Sequence, residues 1–297
     1  MIRSCPMCGG KSGKIAFPFS TYWNKKKFNY FSCSSCKSTY VDPKPDSIDF
    51  EKMYSKKNYH DLHYSEYNNA LSEFNNKEYR QSISLLKKHV KDKITLLDFG
   101  CGNGLFLSLA KKSGFDCIGV EIDSETIKFA RKNSGCPVIS YDLLLRKEKK
   151  FDIIHLGDVL EHLSEPFLLI KELKKLLNDN GLFFVEGPLE NNPSPVYFSS
   201  LLFGWIKKIF IHSFIANDAP THLFRVNASA QKLFFTKRLG FHEIYFEIYE
   251  TGWPYHTSND KSNIIKNIIG HVAKSISGVR LGKVVFGNRF YSLYKSQ

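Results

Sequence analysis

The sequence predicts an α/β protein, a doubly wound parallel sheet preceded by a small cysteine-rich module. Three observations carry that expectation. From residue 93 onward, short runs rich in Val, Ile, Leu and Phe alternate with stretches whose apolar residues recur at helical spacing. The first of these runs, LLDFG, breaks into a loop with glycine at every second position, GCGNG. Ahead of them stand two Cys-x-x-Cys pairs, CPMC and CSSC.

Composition bounds what such a chain does. With 297 residues, 42% hydrophobic and 14% aromatic, it has material for a large core, which argues against disorder. The N-terminus, MIRSCPMCGG, shows no apolar signal region, and no uncharged apolar run is long enough to span a bilayer, so a cytoplasmic protein is expected. The net charge of +13 is uneven. Residues 1–93 carry 17 Lys/Arg against 9 Asp/Glu, residues 94–190 carry 12 against 15, and residues 191–297 carry 13 against 5. Two basic flanks thus enclose an acidic middle. They suit an anionic partner, whether nucleic acid, a phosphorylated substrate or a membrane surface to which the protein is peripheral; solvated lysines are the plain alternative.

Cys5, Cys8, Cys33 and Cys36 have the spacing that lets two tight turns each place two thiolates around a tetrahedral Zn²⁺. Between them KIAFPF and KKKFNYFSC read as short strands, so residues 1–45 are expected to form a zinc ribbon. Thiol redox chemistry is the alternative reading. With four protein ligands the metal has no open position, and its role is to fold a segment too small for its own core; its removal is expected to unfold the module and spare the rest. Cys101, Cys117 and Cys136 read as small buried residues. A Pro-punctuated VDPKP opens a helical linker or lid over 46–92. In it Tyr54, Tyr59, His60, His63 and Tyr64 either line a substrate mouth or pack the linker, and residues 66–90 are expected to form one amphipathic helix.

The elements then follow in order: strand ITLLDFG and helix GLFLSLAKKSG, strand DCIGVEID and helix SETIKFARKNSG, and short strand PVIS. Strand FDIIHLGD leads to a helix through LKKLLND, stopped by Gly181, and then strand LFFVEGP. In such sheets ligands bind beyond the carboxyl ends of the strands. Gly100, Gly102 and Gly104 let backbone approach a ligand closely, and the helix behind them offers N–H groups to a carboxylate or phosphate. Asp98 can meet a cationic amine, Glu121 both hydroxyls of a ribose, and Asp142 an adenine amino group. Amine, carboxylate, ribose and adenine together describe S-adenosylmethionine. NAD is the weaker candidate, because the third glycine falls one place early for its fingerprint.

LLDFGCGNG, GVEID, FDIIHLGDVLEHL and NDNGLFFVEGP, in that order, resemble the motifs of class I S-adenosylmethionine-dependent methyltransferases, and THLFRVNASAQKLFFTKRLGFHEI resembles a later helix and strand of that family. The resemblance implies a Rossmann-like, seven-stranded sheet over 93–297. FHEIYFEIYE would be its sixth strand, and an antiparallel last strand would lie within FGNRFYSLYK. It also implies that Cys101, Ile122, Leu143 and Gly157 join the cofactor-binding set. A ribbon ahead of this core is similar to methyltransferases of bacterial sugar and surface-polysaccharide pathways, which implies a small-molecule or glycan hydroxyl as acceptor.

Asp158, Glu161 and His162 stand at i, i+3 and i+4, on one face if the segment is helical, and His222 follows a long loop. Two carboxylates and two histidines form a plausible divalent metal set. The set resembles ubiquinone-pathway O-methyltransferases and small-RNA 2′-O-methyltransferases, with Asp158 where those tend to have Glu. A metal-free histidine base and a structural helix start stand beside the metal. The insert 188–222 carries Phe198, Leu201, Leu202, Trp205, Ile209 and Phe210 at helical spacing, as a lid over the acceptor or a surface helix touching lipid. NIIKNIIGHVAKSIS is a further amphipathic helix, expected on the sheet. Rival functions are methylation of RNA or of a lipid or aromatic hydroxyl, and a scaffold without cofactor.

Overall fold

The computed structural model describes residues 4–10, 12–54, 70–90, 94–146, 149–210, 218–252 and 261–296. Tyr59, His60, His63 and Tyr64 lie outside them. In chain order the strands β1 (Ser12–Trp23), β2 (Lys26–Cys33) and β3 (Thr39–Asp42) precede α1 (Ser47–Met53) and α2 (Ala70–His89). Then β4 (Thr95–Phe99), α3 (Leu105–Lys112), β5 (Asp116–Val120), α4 (Ser124–Ser134), β6 (Val138–Ile139), α5 (Tyr141–Leu145) and β7 (Phe151–Gly157) alternate. A 3-10 turn (Leu160–His162) leads to α6 (Pro166–Lys174) and β8 (Leu177–Pro188). The remainder comprises α7 (Pro195–Phe210), β9 (Phe224–Arg225), α8 (Ala228–Leu233), β10 (Phe241–Tyr249), α9 (Lys261–Ser275), the hairpin strands β11 (Arg280–Leu281) and β12 (Val284–Val285), and β13 (Arg289–Ser296).

Seven strands form one sheet in the order β10-β13-β8-β7-β4-β5-β6. Its centre is parallel: β4 lies between β5 and β7, and β6 pairs with β5. Leu96, Leu97, Ile153, Ile154, Phe183, Phe184 and Val185 are wholly buried, as strands covered on both faces require. The last strand in sequence, β13, inserts between β8 and β10.

The chain divides into two compact units. One comprises Pro45–Leu160, Leu168–Val185 and Leu293–Gln297 and holds the glycine loop. The other comprises Met1–Lys44, Glu161–Phe167 and Glu186–Ser292 and holds the cysteine module. In the second unit a four-stranded sheet runs β1-β2-β3-β9, with Thr39 opposite Arg225 and Tyr40 opposite Phe224. The module is therefore extended by a strand from far along the chain. Asn191 reinforces that join, its Nδ2 donating to Thr39 Oγ1 at 2.8 Å, and Asn227 Nδ2 donates to the Cys36 carbonyl at 3.1 Å.

Two local expectations change. The helix expected to reach Asp179 ends at Lys174, and Gly181 lies inside β8 rather than capping a helix. A Cβ at Gly181 would stand 2.9 Å from the Asn178 carbonyl oxygen and 3.2 Å from that of Phe151, so a close backbone approach explains this glycine. The amphipathic C-terminal helix α9 packs against α7.

Candidate active site

Local sequence builds the glycine loop. Gly100, Gly102 and Gly104 have φ of +77°, +51° and +78°, a region L side chains rarely enter. A Cβ on Gly100 would meet Val159 Cγ2 at 2.6 Å, and one on Gly104 the Ala130 carbonyl at 2.9 Å. The N–H groups of Gly100 and Cys101 donate to the Val120 carbonyl at 2.8 and 3.0 Å, folding the loop across the end of β5. Asn133 Nδ2 donates to the Asn103 carbonyl at 2.8 Å and holds it from the helix side. Cys101 is buried beneath the loop, where burial first and the nearby Asp98 carboxylate second push its thiol far above the ordinary range.

Asp98 is 2% exposed, and its Oδ1 accepts from His155 Nδ1 at 2.7 Å. His155 is the residue the sequence reading missed. The β4–β7 register sets it opposite Asp98, which no local pattern shows, and its ring is stacked between Phe106 and Phe184 at 3.9 and 5.2 Å. The second oxygen of Asp98, Oδ2, is buried without a hydrogen-bond partner, which is costly unless a ligand or water supplies a donor. Glu121 follows β5. Its Oε2 accepts from Gly102 N at 3.0 Å and its Oε1 from Ile122 N at 2.7 Å, so it braces the loop with lone pairs to spare. Ile122 and Leu143 stand just past β5 and β6 and are 81% and 46% exposed. Asp142 is exposed in the first turn of α5, and Gly157 ends β7. An orphaned carboxylate oxygen, a cradle a side chain would fill and bare apolar residues at the strand ends fit an adenosyl ligand carrying an amine.

The other unit gathers a second group. Glu161, His162 and His222 place ligand-capable atoms within 4.8 Å of one another. The histidine rings meet edge to face at 4.8 Å. His162 Nδ1 donates to the Thr221 carbonyl at 2.8 Å, and its Nε2 lies 3.9 Å from Glu161 Oε1. His222 Nδ1 donates to Glu190 Oε2 at 2.8 Å, so both rings carry a proton on Nδ1 and direct chemistry to Nε2. Glu190, which sequence reading did not single out, also faces Arg225 at 3.5 Å. Burial pushes its pKa up, but Arg225 and His222 outweigh that and hold the carboxyl at about 2. For His222 burial disfavours the charged ring, and Glu190 outweighs it, so the pKa is raised. Asp158 belongs to the unit that holds the glycine loop. It is exposed with φ of +51°, ahead of the 3-10 turn and not within a helix, so it does not share a helical face with Glu161 and His162.

Four thiols complete the inventory. Cys5 and Cys36 Sγ lie 3.6 Å apart, Cys8 and Cys33 Sγ 3.5 Å, and all four fall within 4.8 Å. Sulfurs at ~2.3 Å from a tetrahedral zinc stand about 3.8 Å apart, so this set fits that ion. Each close pair joins one cysteine from either turn, and Gly10 N–H points to Cys8 Sγ at 3.4 Å.

A family model described as a methyltransferase domain matches residues 71–230. The ubiquinone biosynthesis O-methyltransferase of Pelagibacter ubique (strain HTCC1062) is 32% identical over 98 residues, 31% of this chain and 41% of that protein. The ribosomal protein L11 methyltransferase of Thermotoga maritima is 27% identical over 132 residues, 42% of this chain and 49% of that protein. The chain thus spans less than half the length of either curated relative. Among solved structures, a SAM-dependent methyltransferase from Archaeoglobus fulgidus aligns with a TM-score of 0.52 at 23% identity, over 80% of this chain and all of that one. The plantazolicin methyltransferase BamL, solved with a triazolic desmethylPZN analog and SAH, aligns at 0.50 and 15% identity over 84% of this chain and 94% of that one.

Proposed function

From the premise that this chain belongs to the methyltransferase-domain family, we propose that it is an S-adenosylmethionine-dependent methyltransferase that O-methylates a hydroxyl of a sugar, sugar nucleotide or surface glycan. The bound cofactor supplies a methyl group already activated on a sulfonium. Asp98 Oδ2 would receive its amine, the bend at Gly100–Gly104 its carboxylate end, Glu121 the ribose hydroxyls, and Ile122, Asp142 and Leu143 the adenine. Cys101 and Gly157 shape the walls.

The observation that carries the hydroxyl reading is the His162–His222 pair with both Nδ1 protons committed. With each Nδ1 proton held by a protein acceptor, the Nε2 of His162 or of His222 would take the proton that an acceptor hydroxyl gives up on methylation. Glu190 holds His222 in the tautomer this needs. A second reading of the same residues is favoured by their mutual spacing: Glu161, His162 and His222 would hold a divalent cation that makes the acceptor hydroxyl more acidic, without Asp158, which the fold sets apart from them. The zinc assigned to Cys5, Cys8, Cys33 and Cys36 is structural.

A panel of free sugars, sugar nucleotides, RNA and protein acceptors, read by release of S-adenosylhomocysteine, tests the acceptor class. Turnover on sugar hydroxyls that persists in high salt is expected. Turnover confined to RNA or protein overturns the glycan reading, and absence of cofactor binding by calorimetry overturns the enzyme itself. Stimulation by added divalent ions separates the two readings of the histidine pair.

A further inference from the structure

We propose that α7, α9 and the β11–β12 hairpin form a docking face for an anionic phospholipid bilayer. On α7 only Val196 is buried. Phe198, Leu202, Trp205 and Ile209 recur along one face at 40–59% exposure, and Phe210 beside them is 79% exposed. The helix α9 packs against α7 and presents Ile264, Ile265, Ile268 and Val272 at 50–61% exposure, and Leu281 on the hairpin is 72% exposed. Apolar exposure concentrated on two touching helices marks an interaction surface, because isolated exposed residues scatter.

Charge selects the occupant. Residues 195–210 and 261–285, which comprise these elements, contain Lys207, Lys208, Lys261, Lys266, Lys274, Arg280 and Lys283, and no Asp or Glu. Two copies meeting through this face would bring like charges together, whereas an anionic headgroup layer complements them while the acyl boundary takes the apolar side chains. No described helix is long and apolar enough to cross a membrane. The 16 residues of α7 make a rod of about 24 Å, short of the ~30 Å hydrocarbon core. The pair therefore lies in the interface plane, with Trp205 and Phe210 as aromatic anchors, and Lys208, whose Nζ lies over the Phe19 ring at 4.2 Å, beside them.

Flotation of the full chain with vesicles tests this without any acceptor. Vesicles of phosphatidylcholine containing phosphatidylglycerol should bind the protein at least about tenfold more tightly than phosphatidylcholine alone, and added salt should weaken that binding. The double variant Trp205→Ser with Ile268→Ser should lose vesicle binding and keep calorimetric affinity for the cofactor, which doubles as a fold control. If that variant fails to fold, Lys207→Glu with Lys208→Glu should cut binding to the anionic vesicles by about tenfold. Equal affinity for neutral and anionic vesicles, or none for both, overturns the proposal. So does a reversible dimer in sedimentation velocity that the double variant abolishes while vesicle binding is absent. Because cofactor binding is read separately, failure here leaves the methyltransferase reading untouched.

Discussion

Replacing Glu190 by Gln isolates what the carboxylate does for His222. The side chain keeps its shape and an oxygen for the Nδ1 proton, but the charge disappears. In the native protein the pair is joined at 2.8 Å, with the two side chains 24% and 28% exposed. Two unit charges at that distance interact by about 6 kcal/mol at an effective dielectric of ~20 and by about 1.5 kcal/mol in bulk water. The partial exposure and the discount for solvent screening set the expectation near the lower figure, about 1.5–3 kcal/mol. At ~1.36 kcal/mol per pH unit, the pKa of His222 should fall by about one to two units. Arg225, no longer opposed, acts in the same direction. The assay is an NMR titration of the His222 ring in buffer free of added divalent ions, compared between the two proteins. A midpoint that does not move refutes the assigned electrostatics. Stability follows with a defined sign. Glu190 is held below its ordinary 4.5, so its contribution is present above that pH and lost as pH falls through about 2. His222 is raised above 6.5, so its contribution is present below that pH and lost as pH rises through the folded value. The destabilisation by Glu190→Gln should therefore be largest between about pH 4.5 and 6.5.

Other outcomes follow from the same geometry. Gly100→Ala should cost about 2–3 kcal/mol in urea unfolding, from left-handed backbone strain and the 2.6 Å approach to Val159. Adding Val159→Ala should recover the steric part only; full recovery would refute the backbone argument. Glu121→Ala should weaken cofactor binding by about 1–3 kcal/mol in calorimetry, because the Gly102 and Ile122 N–H groups lose their acceptor, as would the ribose under the proposed binding mode. Unchanged affinity would remove Glu121 from the site. Chelating the zinc proposed for the four thiols should unfold the cysteine module and also shift the His222 ring resonances, because β9 is a strand of the module's sheet. Resonances that stay in place after complete metal loss would show that His222 is positioned without the module.

Periodicity and spacing alone specified much of this protein. Strand–helix alternation predicted the parallel core, since strands buried on both faces must be apolar throughout, and glycine at every second position after β4 announced backbone that must turn left-handed. Two Cys-x-x-Cys pairs foretold four converging thiols, because each tight turn sets two sulfurs side by side. The helix length before β8 was misread because Gly181 serves a close backbone approach, which sequence cannot distinguish from a helix stop. What only the tertiary structure decided are the pairings between distant segments. His155 supports Asp98 through strand register, Glu190 becomes the carboxylate of His222, and β9 joins the cysteine module's sheet. Local sequence fixes which conformations a segment prefers. Contacts between residues tens or hundreds of positions apart are set by how the folded elements pack, and no periodicity in the chain encodes them.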